Sequence, residues 1–415
     1  MLGVPVNNAV LRRLPLFLWL FCITAAAGAL DPGAAAPSLR SQAAVLLDAA
    51  TGTVLYSKNG DEPISPASLT KLMTIHLALK DSESGKTSLD TVVSLPRETW
   101  AINQPPRSSL MFLAQGQTVT LGELLLGLAV SSGNDAAVAV ALHLAPSVDA
   151  FAERMTAEAK ALGLENTSFV EPSGISEYNM TTAMDYARFC RIYITLHPET
   201  LEQLHSVPSF AYPKPENLPE IYRQRPGTIE QYNRNALLRS YSGVDGLKTG
   251  YIDEAGYNIA LTARRDGTRL IAVILGGPAN LGSQEGERIR RADSTALLDW
   301  GFEYFKTLRP VVAELPPVRI WKGTENSASV VPGETLERTI ISDRGDGLRW
   351  EARINEPVTA PLTAGSSVGD LVFLDTQGEL FRVPLVLQDD QPQGNVFKRL
   401  WDSIRLFFRS LGKKN

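Results

Sequence analysis

Ser68-Leu69-Thr70-Lys71 sets a hydroxyl and a primary amine three residues apart. On a helix, positions i and i+3 share a face, so the amine reaches the hydroxyl. A serine is a weak nucleophile until a neighbour takes its proton. A lysine does this once burial or a nearby cation lowers its pKa. Ser132-Gly133-Asn134 places a second hydroxyl and an amide two residues apart, between two apolar helical patterns, where both can face one cleft. Lys248-Thr249-Gly250 occurs once and ends a glycine-punctuated strand pattern that begins at Val244. Its Lys and Thr side chains alternate across the strand, and Gly250 would let a ligand approach the backbone. Singly these motifs are common: Ser410 to Lys413 repeats the first spacing and Ser57 to Asn59 the second. Their order and placement together point to a serine nucleophile with a lysine base.

Other hydrolytic chemistries lack their residues. None of the four histidines (His76, His143, His197, His205) lies in a His-Glu-x-x-His zinc-peptidase pattern. Pro66-Ala67-Ser68-Leu69-Thr70 is not the Gly-x-Ser-x-Gly turn of a Ser-His-Asp hydrolase. No metal and no organic cofactor is expected.

The elements around the motifs follow from periodicity. Residues 42–58 read as a hairpin, and Ile64 to Lys80 as a loop entering a helix. From about Leu121 to Leu196 apolar residues recur at helical spacing. Strands return at Gly246 to Tyr251 and continue through a second hairpin at Asp266-Gly267, followed by a helix to Trp300. Strands, then helices, then strands predict an α+β domain, residues 38–306, whose antiparallel sheet closes around an inserted helical block. Residues 310–388 alternate in short runs between Gly, Pro and Asp, the pattern of a small all-β domain. Residues 389–394 read as a polar linker, and 395–414 as an amphipathic helix.

The 415-residue chain carries a net charge of −5, and basic residues interleaved with aromatics occur only in its last 20 residues, so nucleic acid is not expected as a partner. Residues 1–29 read as a signal peptide: Arg12-Arg13, an apolar run from Leu14 to Thr24, and small residues at Ala25 to Ala29. Its removal would take Cys22 and leave Cys190 alone in a helical pattern, as a buried core thiol.

Ser-x-x-Lys, Ser-x-Asn and Lys-Thr-Gly in this order resemble the active-site serine enzymes that recognise penicillin. SPASLTKLMT, SSGNDAAVAVA, GLENTSF, VDGLKTGY, AGYNIALTA and LLDWGF are similar to the low-molecular-mass D-alanyl-D-alanine carboxypeptidases of the type-5 penicillin-binding class. The resemblance covers roughly residues 40–412 and implies a β-lactamase/transpeptidase-like catalytic domain. It implies that Ser68 attacks the peptide carbonyl, Lys71 is the general base, and Ser132 relays a proton to the leaving D-alanine. Asn134 would hold Lys71 and the substrate amide. Lys248 and Thr249 would bind the free carboxylate, and the N–H groups of Ser68 and Tyr251 would form the oxyanion hole. Arg290 is matched to a carboxylate-binding arginine, with a solvated helix face as the competing reading. The implied partners are peptidoglycan peptides ending in D-Ala-D-Ala and β-lactam antibiotics. Alternatives left open are a DD-endopeptidase, a β-lactamase and a non-catalytic wall-binding protein.

In the terminal helix Val396, Phe397, Leu400, Trp401, Ile404, Phe407, Phe408 and Leu411 fall within about 140° at ~100° per residue. Lys398, Arg399, Arg405, Arg409 and Lys413 take the other side, and only Leu406 is misplaced. This is the profile of a helix lying in a membrane interface, with Phe397, Trp401, Phe407 and Phe408 as its anchors. Docking on the protein's own surface is the alternative. The protein is thus expected to be exported and held peripherally at the outer face of the cytoplasmic membrane, in the periplasm.

Overall fold

A strand whose side chains alternate between two apolar cores must lie in the middle of a layered domain. Strand β1 (Ala43–Asp48) is such a strand: Ala43, Val45 and Leu47 enter one core, while Ala44 and Leu46 enter another. The computed structural model describes residues 30–412, so the expected signal peptide, Cys22 included, lies outside the described residues. β1 pairs with β2 (Val54–Lys58) on one side and β5 (Thr268–Gly277) on the other. β4 (Gly256–Arg265) and β3 (Val244–Ile252) complete an antiparallel sheet in the order β2-β1-β5-β4-β3. The first strands thus pair with the last, and the chain between them forms the inserted helical block.

That block contains α1 (Lys71–Glu83), α2 (Leu121–Val130), α3 (Asn134–Leu144), α4 (Val148–Ala161) and α5 (Ala183–Leu196). Its start signals are chemical. The Thr120 hydroxyl accepts from Glu123 N–H while the Glu123 carboxylate accepts from Thr120 N–H, a capping box opening α2. Ser147 and Thr182 cap α4 and α5 in the simpler way. A short α6 (Leu237–Ser240) leads into β3, and α7 (Ser283–Tyr304) covers the opposite sheet face with Leu297, Leu298 and Trp300. Cys190 is wholly buried on α5, and burial pushes its thiol far above the ordinary value, as a core residue requires.

Beyond α7 the strand Phe305–Leu308 pairs with Arg338–Ile341. A four-stranded antiparallel sheet follows, with Ser367–Asp375 and Gly378–Leu387 at its centre. Its core includes Leu371, Phe373, Val383 and Leu385. Residues 389–394, read as a linker, are instead stitched to this domain. Leu362 and Gln391 exchange both backbone hydrogen bonds, and Gly394 N–H donates to the Lys322 carbonyl. Polar composition is the misleading signal there, because the pairing is made mainly by backbone, with the Asp390 carboxylate adding an acceptor for Ala364 N–H at 2.8 Å.

The described residues end in α8 (Val396–Gly412), docked on the β domain by its polar side. Asp402 is buried and accepts from Lys322 N–H at 2.7 Å, with Arg319 3.9 Å away. Lys398 bonds Asn326, and Arg409 pairs with Glu356 while lying over the Trp321 ring. Leu406, out of place on a helical projection, is half-buried and lines a small cavity with Glu356 and Pro357. All eight residues of the apolar stripe remain exposed, with Phe397 at 84%.

Candidate active site

The nucleophile candidate stands on a strained turn rather than on α1 itself. Ala67–Thr70 is a 3₁₀ turn that runs into the helix at Lys71. Residues i and i+3 eclipse in a 3₁₀ turn, so Lys71 still lies beneath Ser68. Ala67 takes a positive φ of 50°, which a residue with a Cβ holds only when its surroundings impose it. Two glycines make that possible. A Cβ on Gly174, itself at φ +79°, would lie 1.8 Å from the Ala67 carbonyl oxygen. One on Gly250 would lie 2.9 Å from the Pro66 carbonyl oxygen and 3.0 Å from Ser68 N. Gly250 is thus bare because the Ser68 turn packs against β3, a correction to the reading that reserved the space for a ligand. Asn258 adds a tie, donating to the Ser65 carbonyl at 2.8 Å.

Lys71 is completely buried. Its Nζ donates to Ser68 Oγ at 2.9 Å, to Asn134 Oδ1 at 2.8 Å and to the Ser173 carbonyl. Burial lowers its pKa to about 7, with Glu171 and Asp135 opposing the fall and Arg234 adding to it. Three acceptors match the three hydrogens of an ammonium. When the amine is neutral, Asn134 and Ser173 can keep its two hydrogens, which leaves the lone pair for Ser68. The arrangement can therefore take the Ser68 proton without moving the lysine.

Ser132 and Asn134 sit at the α2–α3 junction, and both are buried. Ser132 also has a positive φ, 62°. Asn134 donates onward to Ser108 Oγ at 3.2 Å. The junction is braced by Asp135, which accepts from the N–H groups of Met111, Phe112 and Leu113 at 2.8, 2.8 and 3.0 Å. Burial raises the Asp135 carboxyl, and these backbone donors hold it down.

Lys248 and Thr249 are buried in β3, with Lys248 Nζ donating to the Thr249 carbonyl at 2.8 Å. Burial pulls the Lys248 pKa well down, with repulsion from Lys71, Arg234 and Arg290 adding to it. β3 runs on to Ile252, so the motif lies inside the strand rather than at its end. Tyr251 is exposed and lines a cleft of roughly 310 Å³ with Ser68, Ser108, Asn134, Gly174 and residues 252–254. The structure brings Ser68, Lys71 and Asn134 into one hydrogen-bonded group.

Arg290 is placed otherwise. It is buried, pairs with Glu287, and approaches the carbonyls of Gly250 and Asn258 behind the strands. It lies on no solvated helix face, and its charge is already partnered outside the cleft lining. Arg234, unremarked in the sequence, is a cation that bears on both Lys71 and Lys248 and bonds the Ser131 carbonyl at 3.2 Å. Glu171, Asn179 and Asp135 likewise belong to no motif in the sequence. The Glu-Pro-Ser-Gly run at 171–174 was the one local sign of a tight functional loop.

Comparison with known proteins agrees with this geometry. A family model described as D-alanyl-D-alanine carboxypeptidase matches residues 31–279, and one for the penicillin-binding protein 5 C-terminal domain matches 305–393. The chain is 34% identical over 399 residues to the D-alanyl-D-alanine carboxypeptidase DacC of Escherichia coli, covering 94% of each. It superposes on penicillin binding protein 5 from Haemophilus influenzae with a TM-score of 0.73 at 30% identity, covering 87% of this chain and all of the other. A D-alanyl-D-alanine endopeptidase of Pseudomonas aeruginosa matches 71% of this chain and 89% of its own length at 30% identity.

Proposed function

The chain belongs to the D-alanyl-D-alanine carboxypeptidase family and is a serine-type D-Ala-D-Ala carboxypeptidase, and on that premise we propose how its residues divide the work. Neutral Lys71 takes the Ser68 proton as Oγ attacks the carbonyl of the penultimate D-alanine. The oxyanion forms against the N–H groups of Ser68 and Tyr251, a reading supported by the close packing of the Ser68 turn on Gly250, the residue before Tyr251. Ser132 passes the proton that Lys71 took from Ser68 on to the departing D-alanine amine, which leaves Lys71 neutral again. Water then releases the acyl group, with Lys71 again as base. A β-lactam ring presents the same amide to Ser68, but its leaving group stays attached. The observation that carries this reading is the buried Lys71 amine, whose other two acceptors leave its lone pair to Ser68.

Recognition of a chain end needs a cation, because a free carboxylate buried without a partner costs several kcal/mol, roughly 3–5. Lys248 and Thr249 supply that contact, the bound carboxylate offsetting the burial and the neighbouring cations, Arg234 among them, that lower the Lys248 pKa. The test is release of free D-alanine from a D-Ala-D-Ala peptide and from its C-terminal amide. The amide should turn over far more slowly, and Lys248→Gln should narrow the gap by losing activity mainly on the acid. Equal kcat/KM for acid and amide in the parent enzyme would discard carboxylate recognition.

The second part of the proposal is the membrane. The exposed stripe of α8 faces away from the β domain and would bury in a bilayer interface, with its flanking bases on anionic headgroups. Among the described residues no single helix is long and apolar enough to cross a membrane. Replacing Trp401, Phe407 and Phe408 by Ser should weaken binding to vesicles at any salt concentration. Vesicle binding unchanged by that edit would move the anchor elsewhere.

A further inference from the structure

The base needs something to hold its spare hydrogens, and one holder is the backbone carbonyl of Ser173. A carbonyl on a loop is only as well aimed as the loop is fixed. Residues 170–179 are wound around the carboxylate of Glu171. It accepts from Ser173 N–H at 2.7 Å, Ser173 Oγ at 2.6 Å, Gly174 N–H at 2.6 Å, Ser176 N–H at 3.4 Å and Asn179 Nδ2 at 2.8 Å. Asn179, fully buried, closes the ring: its Oδ1 accepts from Val170 N–H at 2.7 Å, and its Nδ2 also reaches Thr70 Oγ1 at 3.1 Å. A second carbonyl of the loop, on Pro172, accepts from Thr74 on α1 at 2.7 Å. The loop is thus pinned to the helix that carries the base, and Gly174 is pressed against the Ser68 turn.

From this we infer that Glu171 is a positioning residue for the reaction: its carboxylate shapes the loop that aims the Ser173 carbonyl at Lys71. The inference rests on Lys71 acting as the base. Both Glu171 oxygens are taken by the loop's own donors, so the residue acts through Lys71 and does not itself accept the substrate's proton. The charged groups bearing on the Lys71 amine are Glu171, Asp135, Arg234 and Lys248. Of the two anions, Glu171 opposes the effect of burial more strongly. Asp135 is tied to the opposite wall through its hydrogen bonds to residues 111–113.

The experiment is the pH dependence of Ser68 acylation by a fluorescent penicillin in the full chain, for the parent, Glu171→Gln and Glu171→Asp. Loss of the charge favours the neutral amine, so the acid limb of Glu171→Gln should move about one pH unit lower. Its plateau should fall roughly tenfold or more, because an amide cannot accept from the donors on both oxygens. Glu171→Asp keeps the charge on a shorter arm. Its limb should stay near the parent's while its plateau falls, and it carries the test alone if the Gln variant does not fold. A Gln variant that melts lower but keeps the parental limb and plateau overturns the inference, as does an Asp variant identical to the parent. If the parent itself shows no limb near pH 7, the base assignment fails instead, and the two failures are thereby told apart.

Discussion

Titrating acylation of the parent enzyme tests the central claim most directly. The ordinary lysine value of 10.5 is brought to about 7 by burial. At pH 7 an unperturbed amine is neutral in roughly one molecule in 3,000, whereas here about half are, a gain on the order of a thousandfold in available base. The second-order rate constant for acylation of Ser68, followed by stopped-flow fluorescence, should therefore fall on the acid side with a midpoint near pH 7. At pH 6 it should be roughly a tenth of its plateau. Lys71→Arg keeps the charge but cannot give up its proton, so it should acylate orders of magnitude more slowly at every pH. The linkage has a definite sign. The unfolded amine keeps its proton up to about pH 10.5 and the folded one only to about 7, so unfolding takes up a proton between them. Stability referable to Lys71 should rise across that window and be fully present only above it, which denaturation of the parent against Lys71→Met would show. A rate independent of pH from 5.5 to 8.5, or a midpoint near 10, would refute the assignment of Lys71 as base.

Other perturbations have equally specific outcomes. Asp135→Asn turns an amide donor toward two of the backbone N–H groups it now accepts from. It should cost about 3 kcal/mol in urea denaturation and slow acylation by loosening the 111–113 wall. Gly174→Ala puts a Cβ 1.8 Å from the Ala67 carbonyl oxygen. Penicillin labelling should be lost while the far-UV circular dichroism stays near that of the parent. Cys190, wholly buried with a raised pKa, should resist a thiol reagent in the native protein and react only on unfolding.

Much of the architecture was legible because it is written locally. The hairpins, the apolar helices and the final stripe each follow a period, and Ser68 with Lys71 follows a spacing that survives the change from α to 3₁₀ geometry. What escaped is what acts through distant backbone. Asp135 serves N–H groups 22 to 24 residues earlier. Glu171 and Asn179 act by bending a loop whose value lies in one carbonyl. Gly250 was read for the wrong neighbour, since nothing local to it shows that the Ser68 turn packs there. Residues 389–394 looked like a linker because composition is silent about backbone pairing.

The docking of α8 through Asp402, Leu406 and Arg409 has a thermodynamic consequence. A free amphipathic peptide coils in water and pays the entropy of becoming a helix when it reaches a surface. Here that ordering is already done in the folded protein, so partitioning of the stripe into an interface would draw on apolar burial with little conformational penalty. The same rigidity removes independent rotation between helix and β domain. A molecule so attached would hold one attitude to the bilayer, and its search for substrate would reduce to sliding in a plane.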